Sequence, residues 1–456
     1  MPNLLALIPG STWKHPHPRL QQAWNFARIG FLIFPVLPAI GVFPIFFALV
    51  LTWKNATSVI LAHRVNWLMA LWSVWSIGVS LFGVDIGDAL LGLANLLPLF
   101  AFFAAYSVLI QSTDQLRQLA WILLLSAIPV MLLGFAELWL HWGGDLAIGG
   151  TPIHILGLHP GGNPLGRMAS LFGYATGLAE YLQMVFVLAL GLWVDAWEHR
   201  GVADFQESLA KKKPIEFWRS PKIIYLTGFL AICGTALLLT SSRSAWGGAI
   251  VSLSIFALYQ AWYWWLGLVS AALAIVFSSA YAPSPLKEPL RAIVPRYVWA
   301  RITDEMYPDR PEALTRVSQF KFAWKLIEER PVTGWGLQSF GRLYQAYSQT
   351  WVPQPHNIVL MLSSSLGLPA TIGLIAIVGW IVARGTILFL DFPIEWRSSR
   401  TIFFTFLIAF GGFIMFNMTD VTLPDLRLNT LAWLLLASIC GLYYQSQPSR
   451  RSRVTE

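Results

Sequence analysis

Long apolar runs alternate with short polar connectors along most of the chain. A helix needs ~20 mainly apolar residues to cross ~30 Å of hydrocarbon. Runs of that kind fall at about 65–84, 88–110, 119–142, 175–197, 223–241, 245–260, 262–282, 366–388, 401–418 and 428–444. Residues 29–51 are also apolar, but Pro35, Pro38 and Pro44 interrupt them. They read either as one kinked span or as two short ones. The runs are continuous and do not alternate every second residue, which argues against a transmembrane β-barrel. The longest polar stretch is 283–356. Within it, residues 312–329 place Val317, Phe320, Trp324 and Ile327 at helical spacing, predicting an amphipathic helix with one apolar stripe. Pro331 stops that helix, and Thr333-Gly334-Trp335-Gly336 predicts a turn.

The fold class expected is an all-α polytopic membrane protein. Its organisation reads as an N-terminal bundle over 1–282, a large loop over 283–356, C-terminal helices over 357–445 and a basic tail over 446–456. Charge sets its orientation. Lys and Arg concentrate in connector 198–222 (Arg200, Lys211, Lys212, Lys213, Arg219, Lys222), in 389–400 (Arg397, Arg400) and in the tail (Arg450, Arg451, Arg453). The positive-inside rule places these in the cytoplasm. Alternation then puts 143–174, Ser242–Arg243, 283–355, 419–427 and the connector with Asp85 and Asp88 outside. The basic N-terminus, with Lys14, Arg19 and Arg28, lies inside only if 29–51 crosses twice. That choice gives about twelve spans with both termini cytoplasmic.

Composition agrees with the pattern. Of 456 residues, 56% are hydrophobic and 12% charged, against about 25% charged in soluble domains. The net charge of +8 then points to membrane lipids and cytoplasmic loops rather than to nucleic acid. Cys233 and Cys440 both lie within apolar runs, which indicates neither a disulfide framework nor a Cys-based metal site. Many of the 23 Trp, such as Trp24, Trp53, Trp67, Trp142, Trp197 and Trp218, sit near the ends of runs, where interfacial belts form. The first ten residues lack a charged segment followed by an apolar one, so no cleavable leader is expected.

Three residues stand out once the topology is drawn. Arg167 (in GGNPLGRMASLFG), Arg243 (in TSSRSAWGG) and His356 (in WVPQPHNIVL) all fall on the outer side. An arginine at a membrane boundary also serves as a snorkelling anchor. Arg243, however, is followed by Ser244, Ala245, Gly247 and Gly248, small residues that permit close helix approach. The planar guanidinium matches phosphate oxygens two at a time, so two converging arginines would clamp a pyrophosphate. A histidine ahead of a helix can simply cap it. It is also the side chain that titrates nearest neutral pH and suits general acid–base work. Asn357 either orients His356 or begins the next helix. His141, His154 and His159 have few carboxylates nearby and are not read as a metal cage. No phosphate-binding loop, dinucleotide fingerprint or nucleophile elbow is present.

Together these motifs resemble the O-antigen ligase and polymerase superfamily of bacterial membrane glycan transferases, which have a GT-C-like architecture with a large periplasmic loop. The resemblance covers roughly 160–440. It rests on GRMASLFG followed by LAEYL, TSSRSAWGG, Arg316…Trp324…Pro331-Val-Thr-Gly-Trp-Gly, PHN…LGLPA and a last span opening at Asn429. It implies inner-membrane localisation and transfer of a glycan from undecaprenyl pyrophosphate to a glycolipid or glycan acceptor. The reaction it implies is metal-independent and inverting, with no cofactor. His356 would be the base. Arg167, Arg243 and Arg316 would hold the pyrophosphate, with Asn357, Ser242, Trp324, Gly334 and Gly336 in support. The superfamily also holds polymerases and cyanobacterial members labelled as bicarbonate transporters. For a transporter, Glu137 and Glu180 are the main candidates among the few ionisable residues within spans, and both lie nearer helix ends.

Overall fold

The computed structural model describes residues 14–143, 145–148, 151–154, 157–211, 220–303, 305 and 311–447. The first thirteen residues, part of the basic connector 198–222 (residues 212–219, Lys212, Lys213, Trp218 and Arg219 included) and the tail from 448 lie outside them. The expectations of no leader and of a basic tail fall on those residues.

Among the described residues, seventeen α-helices follow one another. They are α1 Gln21–Ile33, α2 Pro38–Ala62, α3 Arg64–Ser80, α4 Ile86–Ala94, α5 Leu97–Leu109, α6 Thr113–Trp139, α7 Ala175–Lys211, α8 Pro221–Leu239 and α9 Arg243–Tyr259. Then come α10 Tyr263–Tyr281, α11 Lys287–Ile293, α12 Arg296–Ile302, α13 Arg316–Glu329, α14 Ser339–Ser348, α15 Ile358–Leu390, α16 Arg400–Asn417 and α17 Leu426–Ser446. A short antiparallel hairpin, Asp145–Ile148 with Thr151–His154, interrupts the helical pattern. Among the described residues, 9 helices are long and apolar enough to cross a membrane, α4 and α5 counting together as Ile86–Leu109. The three other expected spans correspond to α1, α3 and α9, of 13, 17 and 17 residues. The ambiguous region 29–51 is not one kinked rod. The chain breaks at 34–37, between Ile33 and the Pro38 that starts α2, and the two helices pack against each other.

α7 and α17 form the centre, each with 83% of its most apolar window buried, whereas α10 has 11% and lies at the edge. Apolar side chains also point outward, such as Leu71 at 68% exposure and Phe43 at 62%. A soluble surface would not tolerate a belt of that kind, and a lipid-facing one requires it. Not every run-end tryptophan belongs to the belt. Trp67 is 60% exposed, but Trp24 is fully buried and donates from Nε1 to Gln118 Oε1 at 3.2 Å. Its indole N–H finds a buried partner on α6, which draws the ring inside despite its place at the end of a run.

Connectors meet at two opposite ends of the bundle. At one end the Arg117 guanidinium grips both oxygens of Asp195 (2.9 and 3.2 Å), and Glu198 accepts from Gln260 and Thr401, each at 2.6 Å. At the other end the connectors that contain residues 85, 167, 243, 342, 356 and 420 come together.

α15 is continuous in sequence but broken in structure. Gly367 has φ 81° and ψ 167°, so segments 358–366 and 368–390 are separate helices. The carbonyls ahead of such a break lose their helical donors. The turn after α13 supplies replacements: Trp335 N–H donates to Ser364 O and Gly336 N–H to Ser365 O, both at 2.9 Å, while Leu368 N–H donates back to Pro331 O at 2.7 Å. Irregular backbone at membrane depth is tolerated when protein satisfies it in this way. The Thr333–Gly336 turn is therefore the piece that seals the break. Gly334 must be glycine there, because its φ is +64° and a Cβ added to it would stand only 2.5 Å from Ser365 O.

α13 is amphipathic, but not along the stripe expected. Its buried residues are Gln319, Phe322, Ala323, Leu326 and Ile327, while Val317 is 62% and Trp324 56% exposed. The ring partners explain the choice of face. Phe322 meets Phe340, Tyr344 and Tyr347, all in α14, at 5.8, 5.2 and 4.8 Å. Only Ile327 of the predicted stripe is buried.

Candidate functional site

His356 sits in the left-handed region, with φ 51°, where the irregular 351–355 segment turns into α15. A non-glycine residue held there costs energy and needs a surrounding structure to enforce it. The enforcing contacts are local. Asn357 is the N-cap of α15: its side-chain oxygen accepts from Leu360 N–H at 3.0 Å, and its Nδ2 donates to Met418 O at 2.9 Å. Of the two roles open for Asn357, it fills that of starting the helix.

The imidazole is not alone. Its Nδ1 lies 2.7 Å from Asp420 Oδ1, and both side chains remain partly accessible, at 30% and 19%. Sequence reasoning placed 419–427 on this side but did not single out Asp420. A carboxylate on one ring nitrogen holds the tautomer in which the other, Nε2, carries the lone pair. The turn that presents Asp420 is anchored from below. Buried Glu180 on α7 accepts from Asn417 Nδ2 at 2.6 Å and from the Thr422 hydroxyl, and Asn417 Oδ1 accepts Thr422 N–H at 3.0 Å.

Arg243 is the first residue of α9 and is exposed there; buried Ser242 precedes it as the N-cap residue. Its neighbour Ser244 accepts a hydrogen bond from Thr419 Oγ1 at 2.9 Å. Thr419 adjoins Asp420, so the start of α9 and the His356–Asp420 pair are tied through two consecutive residues. Arg167 reaches the same turn from another direction. Its Nε donates to Thr240 O at 2.8 Å, and Met168 N–H donates to Leu239 O at 3.0 Å. Thr240 is three residues before Arg243.

The loop that carries Arg167 hangs on one buried carboxylate. Glu137, at the end of α6, accepts backbone N–H groups from His159 (2.9 Å), Ala169 (3.0 Å) and Ser170 (2.7 Å). Arg427 adds a bond to Leu171 O at 2.6 Å and lies 4.0 Å above the Phe172 ring. Each basic segment also contains a strained residue: Ser170 has φ 48° and Ser241 φ 52°.

Arg167, Arg243 with Ser242, and His356 with Asn357 thus share one end of the bundle and one set of linked turns. Other expected site residues do not join them. Arg316 is exposed in the first turn of α13, and among the described residues no hydrogen bond or ion pair ties its side chain to those turns. Trp324 points away and donates to Glu328 Oε1 at 2.7 Å. Gly334 and Gly336 lie in the turn that seals the break in α15.

Residues 228–375 match a family model described as O-Antigen ligase. The match supports the O-antigen ligase and polymerase superfamily. No curated protein matches the chain. The matched segment contains Arg243, the whole 283–356 stretch with His356, and the break in α15. Arg167, Glu137, Glu180 and Asp420 lie outside it.

Proposed function

We propose that the protein is a glycan transferase of the O-antigen ligase type. It moves a glycan from an undecaprenyl-pyrophosphate donor to an acceptor hydroxyl at the periplasmic face of the bacterial inner membrane. The observation that carries the proposal is the set of linked turns that joins two arginines to a carboxylate-held histidine at one membrane boundary. In this reading α1, α3 and α9 complete twelve crossings, both termini are cytoplasmic, and 283–356 is the periplasmic loop.

The chemistry follows from the side chains. His356 takes the acceptor's hydroxyl proton at Nε2, while Asp420 bonded to Nδ1 stabilises the resulting imidazolium. The acceptor oxygen forms its bond to the anomeric carbon as the bond to the pyrophosphate oxygen breaks. Direct displacement of this kind inverts the anomeric centre. Charge grows on the departing pyrophosphate, where Arg167 and Arg243 meet it with fixed forks of N–H donors. A small-anion transporter would need ionisable groups available along a path. Glu137 and Glu180, the candidates for that role, are instead bonded to the loops they hold.

The test is glycan profiling of a deletion strain. A ligase predicts loss of long surface chains with accumulation of the lipid-linked donor. Products carrying a single repeat identify a polymerase of the same superfamily. An unchanged glycan profile, with uptake of labelled bicarbonate lost, would overturn the transferase reading.

A further inference from the structure

A cavity of about 430 Å³ lies beside the site, between α4, α14, the 351–354 segment and the first half of α15. Its volume is within the ~300–1,000 Å³ of small-molecule sites. We infer that this cavity binds a neutral saccharide, the sugar portion of a substrate, next to His356. The inference rests on the transferase reading of the neighbouring site and adds where its glycan sits.

Charge excludes the obvious alternative. Arg342, the arginine that lines the cavity, is bound to two carboxylates: its Nη1 lies 2.9 Å from Asp85 Oδ2, and its Nη2 pairs with Asp88. Two carboxylates against one guanidinium leave no net positive charge for a phosphate, in contrast to the Arg167 and Arg243 end. What remains is a combination suited to sugars. Trp351 lines the cavity and is 56% exposed, although its ring is seated on α14 so closely that a Cβ at Gly341 would stand 2.9 Å from Cη2. A fixed, open indole offers an apolar face for the C–H side of a pyranose. Asn95 and Gln338 line the same space, and their side-chain amides have no hydrogen-bond partner among the described residues. An amide both donates and accepts, as a sugar hydroxyl does. Gln338 is itself held at φ 63°.

Position links the cavity to the chemistry. Gln354 lines it, and its Nε2 donates to Val421 O, next to Asp420. Two residues after Gln354 comes His356. A ring stacked on Trp351 therefore occupies the approach to the base from the side of the loop.

The test uses the full-length chain in lipid nanodiscs and ligand-observed saturation-transfer NMR, which reads binding without turnover. Two probes separate the sources of the sugar: the lipid-free repeat-unit oligosaccharide of the source cells' surface polysaccharide, and their lipid-free core oligosaccharide. The expected result is binding of one probe, weakened tenfold or more by Trp351→Ala and by the double change Asn95→Ala with Gln338→Ala. Trp351→Phe, which keeps a stacking face, retains it. The probe that binds identifies donor or acceptor. Binding lost in Trp351→Ala upholds the cavity even if no transfer is detected. Transfer and binding both unaltered in Trp351→Ala overturn the cavity and leave the transferase reading standing. Absence of binding by either probe also overturns it.

Discussion

His356 Nδ1 and Asp420 Oδ1 stand 2.7 Å apart, although 64 residues and the helices α15 and α16 separate them in the chain. His356→Ala should lower transfer on the order of 10²- to 10⁴-fold, the usual range for a general base. Asp420→Asn should reduce kcat less severely and leave the donor KM unchanged, because Asp420 acts through the ring and not on the donor. Single-turnover transfer assays on protein of equal abundance make the comparison. Wild-type kcat in Asp420→Asn would remove the carboxylate from the mechanism.

The two arginines should behave differently from the histidine. Arg167→Lys and Arg243→Lys keep the charge but lose the planar fork. A charge-assisted hydrogen bond contributes ~1.5–3 kcal/mol, so the donor KM should rise roughly 10- to 100-fold in either variant. Arg316→Lys, whose parent side chain has no hydrogen bond or ion pair to the linked turns among the described residues, should leave the donor KM within about twofold. Donor titrations of the three variants check the assignment.

Gly367 permits the break in α15. A Cβ there would lie 2.1 Å from Val332 O, at a backbone φ of +81°. Strain at such a position costs about 1–3 kcal/mol before the clash is counted. Gly367→Ala should therefore destabilise the protein by ~3 kcal/mol or more and lower its abundance in the membrane. Gly379→Ala, with open space around its Cβ, is the matched control within the same helix. Thermal unfolding in detergent distinguishes them.

Glu137 holds the Arg167 loop through three backbone N–H groups. Removing the acceptor orphans donors that cost ~1–3 kcal/mol each when left buried. Glu137→Ala should speed amide exchange at His159, Ala169 and Ser170 and reduce transfer. Exchange around Arg117 and Asp195, at the opposite end, should not change. Hydrogen-exchange mass spectrometry reads both regions in one experiment.

The tie between α14 and the α3–α4 connector carries a pH prediction. Asp85 titrates below the usual carboxylate range, first because it accepts the Asp88 backbone N–H as the N-cap of α4, and then because Arg342 donates to it. A carboxylate with a depressed folded pKa contributes stability that is present above its unfolded value and is lost as pH falls through the folded one. Exchange protection of α14 should therefore hold from about pH 8 to 5 and fall only below about pH 4. Arg342→Ala should lose it throughout that range.

Much of this protein was written in its linear pattern. Apolar runs located the spans because hydrocarbon imposes a length requirement that any crossing helix must meet locally. Arg167, Arg243 and His356 could be picked out because a charged or titratable side chain in a membrane boundary connector is conspicuous. Other features had no local signature. The span read from the sequence at 366–388 is preceded in the structure by a further helical segment from Ile358, and the break at Gly367 between them is stable only because a turn some thirty residues earlier supplies the missing donors. The buried face of α13 was chosen by rings on α14, not by its own period alone. Glu137 and Glu180 looked like transport candidates until their partners were visible. Asp420 is one carboxylate in a short connector, and it acquires a role only when α16 delivers it to His356. Helix length and charge bias act along the chain and can be read from it. Partners for a buried carboxylate, a broken helix or an imidazole come from distant segments, and only packing decides which of them meet.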